Sequence, residues 1–267
     1  MGKIIEAIIL GLCQGLCEFL PVSSSGHLTV LQKAFGVEEG GSFFIVMLHL
    51  GTLLAVFAVY RKQIFELLKK PFQKKTYLLA VSTVTTVLIY LIGGSVFDNL
   101  EGNGIALGCS FLFTAGLLTF TDFVAPKLNF KRTGSITDMS YGAAIGVGAM
   151  QGIGILPGVS RSGSTIAGAR LFGLEKEAAA EFSFLMSIPA ILGGLVTEIP
   201  DMVKGDVGNI PWLPIIIGMA VAAVSGYFAI RFMIKLITKK RLWGFAVYVG
   251  ALGIFLILDA SIFNILF

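Results

Sequence analysis

Six long apolar stretches constrain this chain more than any other feature of its sequence. Each is 18 to 24 residues long, and they lie at 43–60, 76–97, 105–124, 181–199, 212–234 and 243–266. An α-helix of this length crosses the hydrocarbon core of a bilayer. Only 13% of the 267 residues are charged, about half the share of a soluble domain. The sequence therefore predicts an all-α polytopic membrane protein, with a single integral membrane domain over 1–267.

Lys and Arg cluster in the connections that follow the first, third and fifth stretches. They are Arg61, Lys62, Lys69, Lys70, Lys74, Lys75, Lys127, Lys131, Arg132, Lys235, Lys239, Lys240 and Arg241. The positive-inside rule assigns these connections to the cytoplasm and the acidic connections at 98–103 and 200–209 to the outside. Loop charge of this kind accounts for the net charge of +4, so we expect the bilayer as a partner and no nucleic acid.

Two segments of the chain superimpose without a gap after a shift of 137 residues. GLCQGLCEFLPVSSSG, from Gly11, aligns with GAMQGIGILPGVSRSG, from Gly148, and seven of the sixteen positions are identical. The charge argument also gives the first and fourth stretches opposite orientations. We therefore expect an inverted-topology repeat with halves 1–135 and 136–267. This architecture is typical of proteins with a site near the membrane midplane.

Each repeated motif contains a proline at a point where an apolar segment ends. Pro21 follows the segment 4–20 and Pro157 follows 141–156, and proline disfavours continuation of a helix. Exposed backbone beyond each proline is tolerated at membrane depth only inside protein or a wet cavity. Full crossings would separate the two motifs, whereas two re-entrant helical hairpins entering from opposite sides would bring both turns together. We expect one composite site near the midplane.

The first turn combines an acid, hydroxyls and an imidazole. It reads QGLCEFLPVSSSGH from Gln14, and Gln14 and Glu18 share a helix face because they are four residues apart. An intramembrane carboxylate favours metal binding, proton transfer or pairing with a cation. His27 is close enough to Ser24 to act as its general base or acid. A structural alternative is that Glu18 pairs with Arg161 only to hold the halves together.

The second turn has the composition of an anion site. Arg161 carries a planar donor fork that suits phosphate or carboxylate, and hydroxyl-bearing residues surround it in LPGVSRSGST, from Leu156. A helix beginning near Ser164 would add its N-terminal dipole. Together the two turns predict a phosphate site within the membrane.

Two other features receive plainer interpretations. His49, in the middle of the first stretch, is expected to be a core histidine, with lining of the pocket as the alternative. The basic run RKQIFELLKKPFQKK, from Arg61, is expected to be a cytoplasmic loop near anionic headgroups.

With these residues in place, the sequence resembles the undecaprenyl pyrophosphate phosphatase family, also called the bacitracin-resistance phosphatases, over essentially its full length. The resemblance rests on QGLCEFLPVSSSGH at 14–27, PGVSRSGST at 157–165 and EFSFLMSIP at 181–189. Gln14 stands where many relatives have Glu. It therefore cannot serve as a charged metal ligand or as the essential base.

The resemblance implies an activity, a cofactor and a location. The reaction would be hydrolysis of undecaprenyl pyrophosphate to undecaprenyl phosphate and inorganic phosphate, which recycles the lipid carrier of cell-wall synthesis. A divalent cation, Mg²⁺ or Ca²⁺, would assist. The protein would lie in the bacterial inner membrane with its site opening to the extracytoplasmic face, and a homodimer is left open. A lipid-phosphate flippase or anion transporter is the alternative, because inverted repeats with broken helices are typical of transporters.

The resemblance also implies roles for individual residues. Glu18 would bind the metal or transfer protons, and Ser24 would be the nucleophile or would orient water. His27 would act as acid or base, and Arg161 would clamp the pyrophosphate. The substrate-binding residues expected around them are Gln14, Ser23, Ser25, Gly26, Gln151, Ser160, Ser162, Gly163, Ser164 and Thr165.

Overall fold

The computed structural model describes residues 2–36, 41–100, 102–127, 132–204, 212–239 and 241–267. Within these ranges there are ten α-helices: α1 (Gly2–Phe19), α2 (Ser24–Phe35), α3 (Gly41–Lys69), α4 (Lys74–Leu100), α5 (Gly104–Phe123), α6 (Tyr141–Ile153), α7 (Arg161–Leu171), α8 (Lys176–Lys204), α9 (Trp212–Lys239) and α10 (Trp243–Leu258). Four residues that enter the loop-charge prediction lie outside the described residues: Glu101, Lys131, Asp206 and Lys240.

Six of these helices are long and apolar enough to cross a membrane. Their candidate spans are Phe43–Lys69, Lys74–Gly94, Gly104–Phe123, Lys176–Thr197, Trp212–Lys239 and Trp243–Phe263. Large apolar side chains on their outer faces are exposed, as with Ile92 at 83% and Leu91 at 71%. Such exposure is expected where lipid takes the place of water. The predicted all-α polytopic fold is confirmed, and the chain is a multi-pass membrane protein.

The third helix corrects one expectation from the sequence. Tyr60 interrupts α3 with non-helical φ and ψ of −99° and 20°, at the point where the predicted span ends. The chain then continues as helix to Lys69, so the prediction of a loop beginning at Arg61 is wrong. Leu, Lys, Glu and Gln are good helix formers, which explains why the basic run stays helical. Phe65 and Leu68 are exposed at 59% and 74%.

Four shorter helices form two hairpins. The helix α1 contains 18 residues, or roughly 27 Å at 1.5 Å per residue. The helices α2, α6 and α7 contain 12, 13 and 11 residues, or roughly 16 to 20 Å, which is too short for a hydrocarbon core of about 30 Å. A turn at Pro21 joins α1 to α2, and a turn at Pro157 joins α6 to α7. These lengths fit the re-entrant hairpins that the sequence predicts.

Each hairpin packs against a long helix of the other predicted half. The helix α1 lies along α9, and α6 lies along α4. Repeated glycines allow both approaches: Gly11 faces the backbone of Gly218, and Gly148 faces the backbone of Ser82. This exchange of partners is the contact pattern that a repeat predicts. The boundaries of the two halves and their opposite membrane orientation stay predictions.

A buried apolar cluster packs against the helices that hold the two turns. Phe19, at the end of α1, packs edge-to-face against Phe184 of α8 with ring centroids 5.7 Å apart. Ile166 of α7 and Ile230 of α9 belong to the same cluster, and all four residues are fully buried. The last residue of α1 and the body of α7 are therefore fixed in one core, which sets the positions of both turns.

The close contact of α1 with α9 gives a test of the fold. A Cβ atom on Gly15 would lie 2.6 Å from the carbonyl oxygen of Ala222, and overpacking of this kind costs about 1 to 3 kcal/mol. We expect Gly15→Ala to lower the melting temperature of the protein in detergent. Gly94→Ala is the control, because nothing lies within 4 Å of a Cβ there. Equal melting temperatures for the two variants would contradict the packing described.

Candidate active site

The first turn places Ser23 in a conformation that residues other than glycine rarely adopt. Its φ is 68° and its ψ is 100°; positive φ is costly for an L-residue and persists where the surroundings enforce it. Ser23 is the N-cap of α2, and its Oγ accepts a hydrogen bond from the Gly26 N–H at 3.3 Å. This cap begins the helix at Ser24. The Ser24 hydroxyl then lies beside the carboxylate of Glu18.

The Glu18 carboxylate is the point on which the polar groups converge. Its Oε2 accepts hydrogen bonds from Ser24 Oγ at 2.6 Å and from Gln14 Nε2 at 3.0 Å. Its Oε1 pairs with Arg161 Nη2 at 2.5 Å, and His49 Nε2 lies 3.7 Å from Oε2. The side chains of Glu18 and Arg161 are only 6% and 13% exposed. Three helices and the second turn thus contribute to one buried polar centre.

The second turn presents Arg161 as the first residue of α7. The helix therefore begins three residues before the predicted start near Ser164. Ser160 is its N-cap, with Oγ accepting from the Gly163 N–H at 3.0 Å, while the Ser160 N–H donates to Thr114 Oγ1 at 3.0 Å. The N-termini of α2 and α7 consequently both lie at the ion pair of Glu18 and Arg161. Their partial positive charges favour an anion there.

The two turns are in direct contact. Ser162 Oγ, in the second turn, donates to the carbonyl oxygen of Leu20 in the first at 2.9 Å. Gly26 and Gly158 lie so close that a Cβ on Gly26 would be 3.0 Å from the Gly158 Cα. The structure therefore brings the two turns together as the sequence predicts. Their depth at the membrane midplane stays a prediction.

A cleft of about 560 Å³ opens beside the ion pair. Glu18, Ser24, His49 and Arg161 form its polar end. Its remaining walls combine hydroxyl and amide side chains, such as Thr29, Gln32 and Thr197, with a set of apolar ones: Leu28, Ile45, Val46, Ile155, Val159, Ile191 and Leu195. The cleft thus joins a polar pocket to a hydrocarbon-like surface, which suits an amphiphile with a charged headgroup.

The predicted substrate-binding residues divide into two groups. Ser23, Ser25, Ser160 and Ser162 line the cleft. Gln14 is fully buried and touches the site through Glu18. The structure does not bring the others to the cleft lining: Gly26, Gln151, Gly163, Ser164 and Thr165.

The residues off the cleft have structural contacts of their own. Gln151 donates to Thr86 Oγ1 of α4 at 3.2 Å. Thr165 Oγ1 shares a hydrogen bond of 2.5 Å with Ser183 Oγ. Both side chains are fully buried. Adjacent residues on a helix point in different directions, so a motif with many hydroxyls cannot direct all of them at one ligand.

His27 is directed away from Ser24. Its Nδ1 donates to the carbonyl oxygen of Ser23 at 2.7 Å, and its Nε2 is 2.7 Å from the hydroxyl of Tyr248. The ring also packs edge-on against Phe111. The expected pairing of Ser24 with His27 is therefore absent from this structure, and Glu18 holds the Ser24 hydroxyl instead. Tyr248, on α10, carries no sequence signal that would have linked it to His27.

His49 takes the alternative position given above, at the lining of the pocket, and the expectation of a core histidine is wrong. Its side chain lines the cleft and is 27% exposed. The Nδ1 atom donates to the carbonyl oxygen of Ile45 at 2.9 Å, which directs Nε2 towards Glu18. One signal could have found it, because an ionisable residue in the middle of a membrane span is functional by default.

The donor set at Glu18 fits a hard divalent cation. In the ranges that the structure describes, no group of three or more His, Cys, Asp or Glu side chains could hold a metal. The carboxylate and the Ser24 hydroxyl nevertheless supply oxygen, and the buried Gln14 Oε1 has no hydrogen-bond partner. Mg²⁺ is commonly held by one or two carboxylates together with substrate phosphates. The residues fit such a cation if a diphosphate completes its coordination.

Comparison with known proteins agrees with the sequence resemblance. The profile of the family described as "Bacitracin resistance protein BacA" matches residues 7–255. The chain is similar to the undecaprenyl-diphosphatase of Carboxydothermus hydrogenoformans, with 42% identity over 260 residues covering 96% of this chain and 97% of the relative.

Two further relatives show the same extent of similarity. Undecaprenyl-diphosphatase 4 of Bacillus thuringiensis subsp. konkukian is 42% identical over 253 residues, covering 95% and 96% of the two chains. The undecaprenyl-diphosphatase of Halothermothrix orenii is 38% identical over 264 residues, covering 98% and 100%. Because the similarity extends through both turns and nearly the whole chain, this protein belongs to the BacA bacitracin resistance family.

Proposed function

We propose that this protein is an undecaprenyl-diphosphatase of the bacterial inner membrane. It removes the terminal phosphate of undecaprenyl pyrophosphate, giving undecaprenyl phosphate and inorganic phosphate, and so recycles the lipid carrier of cell-wall synthesis. The observation that carries the proposal is the contact of Glu18 with Ser24 and with Arg161 in a cleft that also has apolar walls. The hydrogen bond from Ser24 to Glu18 places a hydroxyl beside a base, as nucleophilic phosphoryl transfer requires.

The cleft suits a substrate that cannot leave the bilayer. Each CH₂ group of a polyprenyl chain costs about 0.8 kcal/mol to transfer into water, so the enzyme must bring its polar groups to the lipid. The apolar wall formed by Leu28, Ile45 and Ile191 provides a surface for the first isoprene units. The diphosphate then reaches Arg161 while the chain stays in a hydrocarbon environment.

The position of the cleft supports an opening to the extracytoplasmic side. It is lined by Ile45 and Val46 near the start of α3, and by Leu195 and Thr197 near the end of the span in α8. The distribution of basic residues assigns both of these helix ends to the outer face. The substrate headgroup would therefore enter from outside the cytoplasm.

Ser24 is the nucleophile in the proposed reaction. Its Oγ attacks the terminal phosphorus while its proton passes to Glu18 Oε2, which already accepts the hydrogen bond at 2.6 Å. A bond forms between Ser24 Oγ and phosphorus, and the bond from phosphorus to the bridging oxygen breaks. Undecaprenyl phosphate leaves as an anion that needs no added proton. Glu18 releases its proton to solvent and then accepts one from the water that attacks the phosphoserine. As the bond from phosphorus to Ser24 Oγ breaks and inorganic phosphate leaves, Glu18 passes this proton to Ser24 Oγ, which restores the hydroxyl and the carboxylate.

Arg161 stabilises the charge that develops on the phosphoryl oxygens. Its guanidinium fork matches phosphate geometry, and the N-termini of α2 and α7 add partial positive charge at the same place. An incoming diphosphate competes with Glu18 for Arg161. Binding of substrate would therefore loosen the ion pair and free the carboxylate for proton transfer.

A divalent cation, Mg²⁺ or Ca²⁺, is part of the proposal. Glu18 and Gln14 would hold it together with oxygens of the diphosphate. When bound, it would neutralise charge on the phosphoryl oxygens. Gln14 contributes a neutral amide oxygen, so the carboxylate of Glu18 is the anionic protein ligand among these groups.

Substitution of Ser24 tests the nucleophile. We expect Ser24→Ala to lower kcat for phosphate release about 100-fold or more, and acid quenching with labelled substrate to trap phosphoserine only in the wild-type protein. Ser25→Ala is the matched control, because its hydroxyl bonds to Ser23 Oγ and not to Glu18. Full activity of Ser24→Ala would eliminate the covalent route.

Substitution of Arg161 tests the phosphate clamp. Lysine keeps the charge but loses the planar fork, and removal of one stabilising donor costs about 100- to 1,000-fold in rate. We expect Arg161→Lys to lower kcat/KM by that amount in a phosphate-release assay. Arg170→Lys changes the other arginine of α7, which is 6% exposed and off the cleft, and should cost much less. Equal losses would contradict the assignment.

Removal of metal tests the cofactor. We expect EDTA to abolish phosphate release from undecaprenyl pyrophosphate in detergent, and excess Mg²⁺ or Ca²⁺ to restore it. The control is the melting temperature in EDTA, which should stay near its starting value if the cation acts on the substrate. Unchanged turnover in the chelator would exclude a metal-dependent step.

A further inference from the structure

His49 has the orientation of a metal ligand. A carbonyl oxygen can only accept a hydrogen bond, so the contact of 2.9 Å with Ile45 places a hydrogen on Nδ1. When the ring is neutral, its lone pair therefore lies on Nε2. Histidines that bind metals almost always donate their other ring N–H to a carbonyl, a carboxylate or water. Here the acceptor is the carbonyl oxygen of Ile45, one helical turn before His49 in α3.

The lone pair of His49 faces the carboxylate oxygen of Glu18 that would bind a cation. Nε2 is 3.7 Å from Glu18 Oε2, and both residues line the cleft. Two neighbouring ligands held about 2.1 Å from one ion lie roughly 3 Å apart. A small movement of either side chain would let both bind a common cation. A neutral Nε2 cannot donate a hydrogen bond to the carboxylate, so the present contact leaves this nitrogen available.

Without His49, the protein groups at the site would bind a cation only weakly. Gln14 is neutral and hydrogen-bonds to Glu18, and Arg161 adds a positive charge on the other carboxylate oxygen. A cation held by Glu18 alone would be weakly bound. A nitrogen ligand strengthens binding of transition metals such as Mn²⁺ and Zn²⁺, while Ca²⁺ prefers oxygen.

We infer that His49 supplies a nitrogen ligand to a divalent cation held by Glu18, and that this site binds Mn²⁺ through an imidazole. The inference rests on the cation site of the proposed function. It assigns the cation a fixed protein ligand on α3, in addition to α1 and the diphosphate. Because only Glu18 and His49 are strong protein ligands, a bound diphosphate should tighten the binding of the metal.

Electron paramagnetic resonance with Mn²⁺ tests the inference without turnover. The chain contains two histidines, so His49→Gln and His27→Gln assign any imidazole nitrogen. The proteins are purified in detergent with a histidine-free tag, and Mn²⁺ is titrated with and without methylenediphosphonate. Pulsed spectra then report ¹⁴N coupling to the bound ion. Gel filtration checks the fold of each variant.

We expect ¹⁴N coupling in the wild-type protein and in His27→Gln, and its loss in His49→Gln. Affinity for Mn²⁺ should fall about tenfold or more in His49→Gln, whereas Ca²⁺ affinity measured by competition should change little. Absence of ¹⁴N coupling in the wild-type protein, or its survival in His49→Gln, would overturn the inference. If one variant fails to fold, the other still assigns the nitrogen, because the chain contains two histidines.

The proposed function is tested separately by phosphate release with Mg²⁺. An active enzyme whose Mn²⁺ shows no nitrogen ligand would refute the role of His49 and leave the hydrolase intact. An inactive protein that binds Mn²⁺ through His49 would refute the hydrolase and leave the metal ligand intact.

Discussion

The buried ion pair between Glu18 and Arg161 is the interaction that the site depends on. Each charge loses hydration worth on the order of several kcal/mol when it leaves water, and the loss is offset only when the remaining acceptors are filled. Ser24 and Gln14 fill them on the carboxylate, and two helix N-termini face the pair. The pair joins chain segments 143 residues apart, so neither half of the chain can form this centre alone.

The helices around the pair hold two turns in contact at a depth where loose backbone would be costly. Glycines let the hairpin helices α1 and α6 approach the backbones of α9 and α4, and the hydroxyl of Ser162 hydrogen-bonds from one turn to the other. The structural alternative, a salt bridge that only joins the halves, describes part of what the pair does. The same pair also lies at the polar end of a cleft. One ion pair therefore both holds the turns together and places the reactive groups at the cleft.

The cleft explains how a membrane protein can perform phosphate chemistry on a lipid. Its apolar walls keep the hydrocarbon chain out of water, and its polar end offers a carboxylate within hydrogen-bond distance of both a hydroxyl and a guanidinium. A diphosphate that displaces Glu18 from Arg161 would exchange one buried ion pair for another. This exchange avoids leaving either charge without a partner, which is the outcome that a low-dielectric interior penalises most.

The sequence by itself determined the six spans and the membership of Glu18, Ser24 and Arg161 in one site, and it predicts the repeat. Apolar length, proline position and the cost of charge in lipid are properties of the chain that need no partner. Only the tertiary structure decided which side chains face the cleft. The side chain of His27 contacts Tyr248, that of His49 faces Glu18, and that of Thr165 hydrogen-bonds to Ser183 in the core. Side-chain direction depends on where each helix starts and on which neighbour it packs against, and local sequence carries neither.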